Sequence, residues 1–264
     1  MLLIAIILGT LTAGIGSVWL AAALSFGVLA KYTQHMLSLA AGALLATAFM
    51  HLLPEAFEGQ AGAKELFAVL LAGLVFFFLL DKAELWHHGH EHGAAHRHDH
   101  SHHHDHHHHD KETKSGGWAV LAGDSVHCFG DGILIASAFM ADIRLGIVAS
   151  LAVLAHEVPH HMGDLVLLRQ SSNNNQRAAV IKVSMAGAVT ALGGVLGYVL
   201  VEQLYDYLPF FLILASSSFI YVALADLIPQ LQKRAALRET AAQIAWLLAG
   251  IGLVTLISGV AHSH

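Results

Sequence analysis

The chain has 264 residues, of which 56% are hydrophobic and only 12% are charged. Soluble domains carry roughly 25% charged residues, so this composition excludes an ordinary soluble fold and is typical of a membrane protein. The net charge of −6 identifies no partner, and no nucleic-acid partner is expected. The single cysteine, Cys128, excludes an internal disulfide framework.

Hydrophobic runs bounded by polar clusters predict eight membrane-spanning helices. In chain order they cover 2–30, 37–57, 66–80, 118–140, 145–168, 183–201, 209–228 and 244–260. The third run is short for a span unless it begins nearer Gly62 and includes Lys64 and Glu65. The expected fold is an all-α polytopic membrane protein, in the inner (plasma) membrane if the source is bacterial.

The basic residues support this count, because cytoplasmic loops of membrane proteins carry an excess of Lys and Arg. With both termini outside, 11 of the 13 basic residues fall in inside loops. Only Lys64 and Arg144 fall in outside loops. The sequence therefore predicts eight spans with the N- and C-termini outside.

A histidine-rich segment divides the chain into helices one to three (1–85), a loop (86–115) and helices four to eight (116–264). The loop contains 14 of the 22 histidines, mixed with Gly, Asp and Glu, and is expected to be disordered in the cytoplasm. Imidazole is a common transition-metal ligand, so we expect loose binding of Zn²⁺ or a similar ion. The alternative is a solvated linker.

The fifth predicted span contains the segment HEVPHHMGD at 156–164. Ionisable groups at membrane depth cost about 2.5–3.5 kcal/mol each on insertion scales, so a cluster needs partners, water or metal. On an α-helix its ionisable side chains fall within an arc of about 140° around the helix axis, and so share one face. We interpret them as one site: His156, Glu157, His160, His161 and Asp164.

The fourth predicted span repeats this pattern. Asp124, His127, Cys128 and Asp131 share one helix face through their spacing of i, i+3, i+4 and i+7. A lone intramembrane histidine is more often a helix–helix hydrogen bond, but two neighbouring helices with such faces favour metal binding. The ligand types suit Zn²⁺, Fe²⁺, Mn²⁺ or Cd²⁺, and their number allows two ions. No catalytic cofactor is predicted.

Proline and glycine residues beside these motifs carry two further expectations. Pro159 removes a backbone hydrogen bond to the Ala155 carbonyl and should bend the fifth helix. Gly130, Gly132 and Gly163 should let the fourth and fifth helices approach closely.

The two motifs resemble the ZIP family of divalent-metal transporters. HCFGDG at 127–132 is similar to the family pattern HNFxDG of the fourth helix, and 156–164 to HExPHExGD of the fifth. HLLPE at 51–55 and YVALADLIP at 221–229 resemble signatures of the second and seventh helices. The family also has eight helices, outside termini and a histidine-rich loop. This chain departs from it at Cys128, where Asn is usual, and at His161, where Glu is usual.

The resemblance implies transport of a divalent metal ion, with Zn²⁺ as the favoured ion, into the cytoplasm. The ion would move by relative displacement of helix bundles without ATP. The resemblance also implies a homodimer. It implies one metal site with His127, His156 and His160. A neighbouring site would use Cys128, Asp131, Glu157 and His160. The expected pathway residues are His51, Glu55, Asp124 and Asp226. HLLPE and DLIPQ (226–230) also read as an inverted repeat between the two halves.

Two other functions are compatible with parts of the sequence. HEVPH at 156–160 matches HExxH, so an intramembrane zinc metalloprotease would use Glu157 as general base. It would leave His127 and Cys128 without a role. A cation diffusion facilitator also carries a histidine-rich loop, but it usually has six spans and a soluble C-terminal domain. We expect a transporter and not an enzyme.

Overall fold

The protein is represented by a computed structural model, which describes residues 1–25, 33–89, 116–171, 175–231 and 237–262. All regular structure in these ranges is helical, and no strand occurs there. The predicted all-α class is therefore confirmed.

The described ranges form eight helical rods, each overlapping one predicted span. Three rods are divided by π-helical turns: α1 (Leu2–Leu11) and α2 (Ser17–Ser25) by Thr12–Gly16, α3 (Thr33–Thr47) and α4 (Leu53–Phe57) by Ala48–Leu52, and α9 (Leu208–Tyr221) and α10 (Ile228–Leu231) by Val222–Leu227. The others are α5 (Ala63–Gly89), α6 (Gly116–Ala141), α7 (Ile143–Ser171), α8 (Gln176–Gln203) and α11 (Leu237–His262). A short 3₁₀ turn, Tyr205–Tyr207, precedes α9.

Within the described ranges, six helical stretches are long and apolar enough to cross a membrane. They are Leu2–Leu24, Gln34–Phe57, Ala63–Leu80, Gln176–Gln203, Tyr205–Ala225 and Leu237–Leu256. The two rods outside this set, α6 and α7, carry the polar motifs. Crossing by all eight rods, and the outside position of both termini, stay predictions.

The third rod settles the starting point that the sequence left open. Helix α5 begins at Ala63 and includes Lys64 and Glu65. The longer of the two predicted spans, which begins near Gly62 instead of residue 66, is therefore the one observed. Helix α5 continues to Gly89, four residues beyond the predicted boundary at 85. The remainder of the histidine-rich loop lies outside the described residues.

The rods pack as two sets, which meet where α3 packs against α7 and where α9 packs against α6. Helix α6 packs against α7 and α8, and α1 and α2 cover α7 and α8. In the other set α3 packs against α11, and α5 against α9. Only 11% of the apolar window is buried in α5 and in α11, against 67% in the rod formed by α3 and α4. Helices α5 and α11 therefore form the outside of the bundle.

Close approach through glycine occurs between α6 and α8. A Cβ atom at Gly132 would overlap the carbonyl oxygen of Thr190, and one at Gly193 would overlap that of Phe129. The expected glycine contact between the fourth and fifth helices is wrong, because Gly130 and Gly163 have no atom within 4 Å of such a Cβ. The α6–α7 interface instead accommodates the large polar side chains of the two motifs.

Prolines coincide with two of the π-helical turns. Pro54 follows the turn Ala48–Leu52, and Pro229 follows Val222–Leu227. Proline lacks an N–H and crowds the preceding turn, and a wide turn relieves both constraints. Pro159, by contrast, lies inside the uninterrupted helix α7. The matching environments of Pro54 and Pro229 agree with an inverted repeat, which stays a prediction.

Candidate metal centre

Helices α6 and α7 are antiparallel neighbours joined by one residue, Asp142. The Asp142 carboxylate caps α7, accepting hydrogen bonds from the backbone N–H groups of Arg144 at 2.7 Å and Leu145 at 3.2 Å. This tight reversal brings the polar faces of the two helices together. Their side chains form three overlapping groups of possible metal ligands, called the first, second and third groups below.

The first group consists of His127, Asp131, His156 and Glu157. Nε2 of His156 lies 3.2 Å from Oδ2 of Asp131 and 3.3 Å from Oε1 of Glu157. Nε2 of His127 lies 3.3 Å from the same Glu157 oxygen and 3.4 Å from Nε2 of His156. Four donor atoms thus converge on one point between the helices.

The second group consists of Asp124, Cys128, Glu157 and His161, all buried. Nε2 of His161 lies 3.0 Å from Oε2 of Glu157 and 3.6 Å from Oδ1 of Asp124. The Cys128 Sγ atom lies 3.7 Å from the same Asp124 oxygen. Both departures from the family patterns, Cys128 and His161, therefore belong to one cluster.

The third group consists of Asp124, His160 and Asp164. Nδ1 of His160 lies 3.3 Å from Oδ2 of Asp164 and 3.6 Å from Oδ1 of Asp124. The His160 side chain is 39% exposed, whereas the carboxylates are 2% and 10% exposed. This group is therefore the open end of the series.

Carboxylates connect the three groups in a fixed order. Glu157 belongs to the first and second groups, and Asp124 to the second and third. The series runs about 10 Å along α6, from Asp131 to Asp124, at 1.5 Å per residue. It points toward the end of the bundle where α6 begins, directly after the histidine-rich segment.

The separations fit a metal ion better than hydrogen bonds. A tetrahedral ion with bonds of about 2.0–2.1 Å holds its ligand atoms about 3.3 Å apart, whereas charged hydrogen bonds measure about 2.7–2.9 Å. Several buried oxygen and nitrogen atoms also lack a hydrogen bond of normal geometry. They are Oδ2 of Asp124, Asp131 and Asp164, both oxygens of Glu157 and Nε2 of His161. Such atoms are costly unless an ion or water satisfies them.

A cavity of about 630 Å³ lies at the opposite end of α6 and α7. Its charged lining comes from His51, Glu55, Glu58, Asp142 and Arg144. Along α7 the cavity lining ends at Val148, about 12 Å before His156 at 1.5 Å per residue. The sequence predicted His51 and Glu55 as pathway residues, and both line this cavity.

Packed residues separate the cavity from the first group. Ala149, Ala152 and Val153 on α7 lie between them, and none is more than 1% exposed. The bundle is therefore closed on the cavity side of the metal groups. The third group, at the other end, is partly exposed.

The structure brings together the eight predicted metal-site residues and Asp124, which was predicted for the pathway. The grouping differs from that implied by the family resemblance: His160 joins Asp124 and Asp164, and Asp131 joins the first group. The metalloprotease alternative is not supported, because His156 and His160, which must bind one ion in HExxH enzymes, fall in different groups. The side chain of Asp226 lies outside the described residues.

Three contributors were not predicted from the sequence. Ser17 on α2 places Oγ 2.9 Å from Nδ1 of His161. Asp142 and Arg144 line the cavity. The sequence around Ser17 does not mark it as part of a site, because hydroxyl side chains are common in membrane helices. Asp142 and Arg144 were not predicted because they lie outside both motifs.

Comparisons with known proteins identify the family of this chain. A family model described as ZIP Zinc transporter matches residues 81–258. Zinc transporter ZIP13 of Pongo abelii is 27% identical over 278 residues, covering 96% of this chain and 77% of that protein. Zinc transporter ZIP10 of Danio rerio is 34% identical over 161 residues, covering 56% of this chain and 19% of that protein. Zinc transporter foi of Drosophila melanogaster is 35% identical, with 53% and 20% covered. The chain thus spans only about a fifth of the latter two.

Proposed function

From the premise that this chain belongs to the ZIP zinc transporter family, we propose that it carries Zn²⁺ across the membrane through the first and second groups. Members of this family are polytopic membrane transporters of divalent metal and not enzymes, as the sequence predicted. The observation that carries the proposal is the convergence of buried, unsatisfied donor atoms of α6 and α7.

The donor atoms favour Zn²⁺ as the substrate. The first group offers two imidazole nitrogens and two carboxylates, and the second adds a sulfur atom. Tetrahedral coordination by N, O and S ligands is the usual preference of Zn²⁺, whereas Mg²⁺ and Ca²⁺ prefer oxygen alone. Because Glu157 presents one oxygen to each group, it would bridge two ions.

We propose a route that leads from the cavity through the first and second groups to the third group, and so into the cytoplasm. Metal would enter through the cavity lined by His51 and Glu55 and pass to the first group once the packed residues between them separate. Relative movement of the two helix sets would alternate this opening with the one at the third group. The cytoplasmic position of that end rests on the distribution of Lys and Arg.

The outer helices suggest how the protein meets its surroundings. Phe67, Leu71 and Phe76 on α5 and Leu248 on α11 are exposed apolar side chains, which suit contact with lipid. A homodimer, as the family resemblance implies, would use part of this surface. Cross-linking in native membranes would separate a dimer from a lipid-covered monomer.

Uptake by proteoliposomes tests the proposal. The purified chain should move Zn²⁺ into vesicles, and Glu157→Gln should reduce the uptake rate at least about tenfold, because both groups lose a ligand. His156→Ala and His127→Ala should have similar effects. Glu202→Gln, an exposed carboxylate on α8, is the matched control and should keep the normal rate. Full Zn²⁺ uptake by the Glu157 variant would contradict the proposed pathway.

A further inference from the structure

The third group has features that a structural ion pair would not need. His160 and Asp164 are four residues apart on α7, a spacing that often gives a simple helix-surface pair. Here, however, Oδ2 of Asp164 is buried without a normal hydrogen bond, and so is Oδ2 of Asp124. The His160 nitrogen lies 3.3 Å and 3.6 Å from its carboxylate neighbours, too far for good charged hydrogen bonds. Three donors thus surround a common point.

The position of the third group next to the second indicates that an ion could pass between them. Asp124 presents Oδ1 both to His161 in the second group and to His160 in the third, at 3.6 Å in each case. An ion leaving the second group can therefore keep Asp124 as a ligand while it gains His160 and Asp164. Retaining one carboxylate avoids the large cost of a bare divalent ion at this depth.

Exposure gives the series a direction. The His160 side chain is 39% exposed and that of His127 in the first group 25%, while His156 and His161 are 3% and 0% exposed. The His160 ring also stacks on His127, with centroids 5.5 Å apart, so it lies beside the first group as well. Water can therefore reach the third group and replace ligands there, whereas all four residues of the second group are buried.

We propose that Asp124, His160 and Asp164 form a third metal-binding subsite, which receives the divalent cation from the second group through Asp124 and releases it to water. This inference rests on the proposed function, because it describes the last step of the same pathway. It assigns three ligands that bind transiently, with fewer and more exposed donors than either deeper group. Release is easier from such a site.

Uptake kinetics of the full-length chain in proteoliposomes test the subsite. Asp164→Asn should lower the maximal rate of Zn²⁺ uptake about tenfold without raising KM, because the deeper groups still load while release slows. Asp164→Glu should restore most of the rate, since it retains a carboxylate. Asp206→Asn, an exposed carboxylate in the 3₁₀ turn, is the matched control.

A second variant guards against misfolding of the first. His160→Gln alters an exposed side chain and should produce the same loss of maximal rate with KM unchanged. Asp124→Asn, which removes a ligand shared with the second group, should lower the maximal rate and raise KM together. Maximal rates within twofold of normal for both Asp164→Asn and His160→Gln would overturn the subsite alone. Absence of uptake by the unsubstituted chain would overturn the proposed function and this inference with it.

Discussion

Ser17 on α2 and His161 on α7 are 144 residues apart in the chain, yet Oγ and Nδ1 lie 2.9 Å apart in the buried interior. The Ser17 hydroxyl donates to the Gly14 carbonyl oxygen at 2.6 Å, so its oxygen accepts from the Nδ1–H of His161. A neutral imidazole has one N–H, which leaves the lone pair of Nε2 directed at Asp124 and Glu157. Ser17, in the first rod, therefore selects the Nδ1–H tautomer of His161, in which Nε2 is free to bind metal.

Removal of this hydrogen bond should weaken the second group. We predict that Ser17→Ala lowers the kcat/KM of Zn²⁺ uptake about tenfold, because partners that orient a ligating histidine affect metal affinity by about 10–100-fold. Ser17→Thr retains the hydroxyl and should recover most of the loss. Ser137→Ala, a buried serine on α6 bonded only within its helix, is the control. Equal uptake by the Ser17 and Ser137 alanine variants would assign Ser17 to packing.

The two departures from the family patterns should act together. Cys128 and His161 lie in the same group, so restoring the usual residues, Cys128→Asn and His161→Glu, should lower Cd²⁺ uptake relative to Mn²⁺ uptake. Sulfur and nitrogen are softer ligands than oxygen and favour Cd²⁺ and Zn²⁺. Because the side chains would hold one ion, the effects of the single and double variants should not add.

Selectivity of this kind is measured by competition between ¹⁰⁹Cd²⁺ and Mn²⁺ in the same vesicles. Protection of Cys128 from a thiol reagent by bound Cd²⁺ is an independent test of whether the thiol binds the ion. Ser125→Asn, on α6 outside the three groups, serves as the control. An unchanged Cd²⁺ to Mn²⁺ ratio in the double variant, with no protection of the thiol, would make Cys128 a packing residue.

Charges of the cavity should govern capture of the ion. Glu55→Gln and Glu58→Gln each remove a negative charge from its lining, so KM for Zn²⁺ should rise several-fold at low ionic strength while the maximal rate changes little. Arg144→Gln removes a positive charge and should lower KM. These effects should shrink as salt is added. A loss of maximal rate without a change in KM would place these residues in the transport step instead.

Deletion of residues 90–109 should leave transport intact. In the part of the chain that the structure describes, the first and second groups are assembled from side chains of α6 and α7 alone. The number of Zn²⁺ ions bound per chain at equilibrium should fall. Loss of all uptake at normal membrane levels would show that this segment forms part of the pathway.

Helix periodicity was sufficient to predict which side chains share a face. The spacings of 124–131 and 156–164 place every donor on one side of its helix, and the structure brings these faces together. Periodicity did not predict the partition among groups. His156 and His160 at i, i+4 can bind one ion in isolation. Asp131 and Asp124 separate them, because the register of α6 against α7 decides which carboxylate meets each ring.

That register depends on contacts that no local pattern reveals. Gly132 packs against the backbone of Thr190 on α8, so α8 helps to position α6. Ser17 likewise reaches His161 from a rod at the start of the chain. Both are long-range packing relationships between helices of similar composition. A single sequence therefore predicts the ligands but not their partners.

The π-helical turns have a mechanical consequence. Each contains a residue more than an α-helix needs, and converting one to α-helix would rotate the chain beyond it by about 100° and shift it by about 1.5 Å. Among the described residues such turns occur in the rods around the site, whereas α6 and α7 are α-helical from end to end. One of these turns ends immediately before Ser17, and another contains His51. A conversion of this kind would therefore move the helices around α6 and α7 and leave the helical pitch of the ligand-bearing helices unchanged.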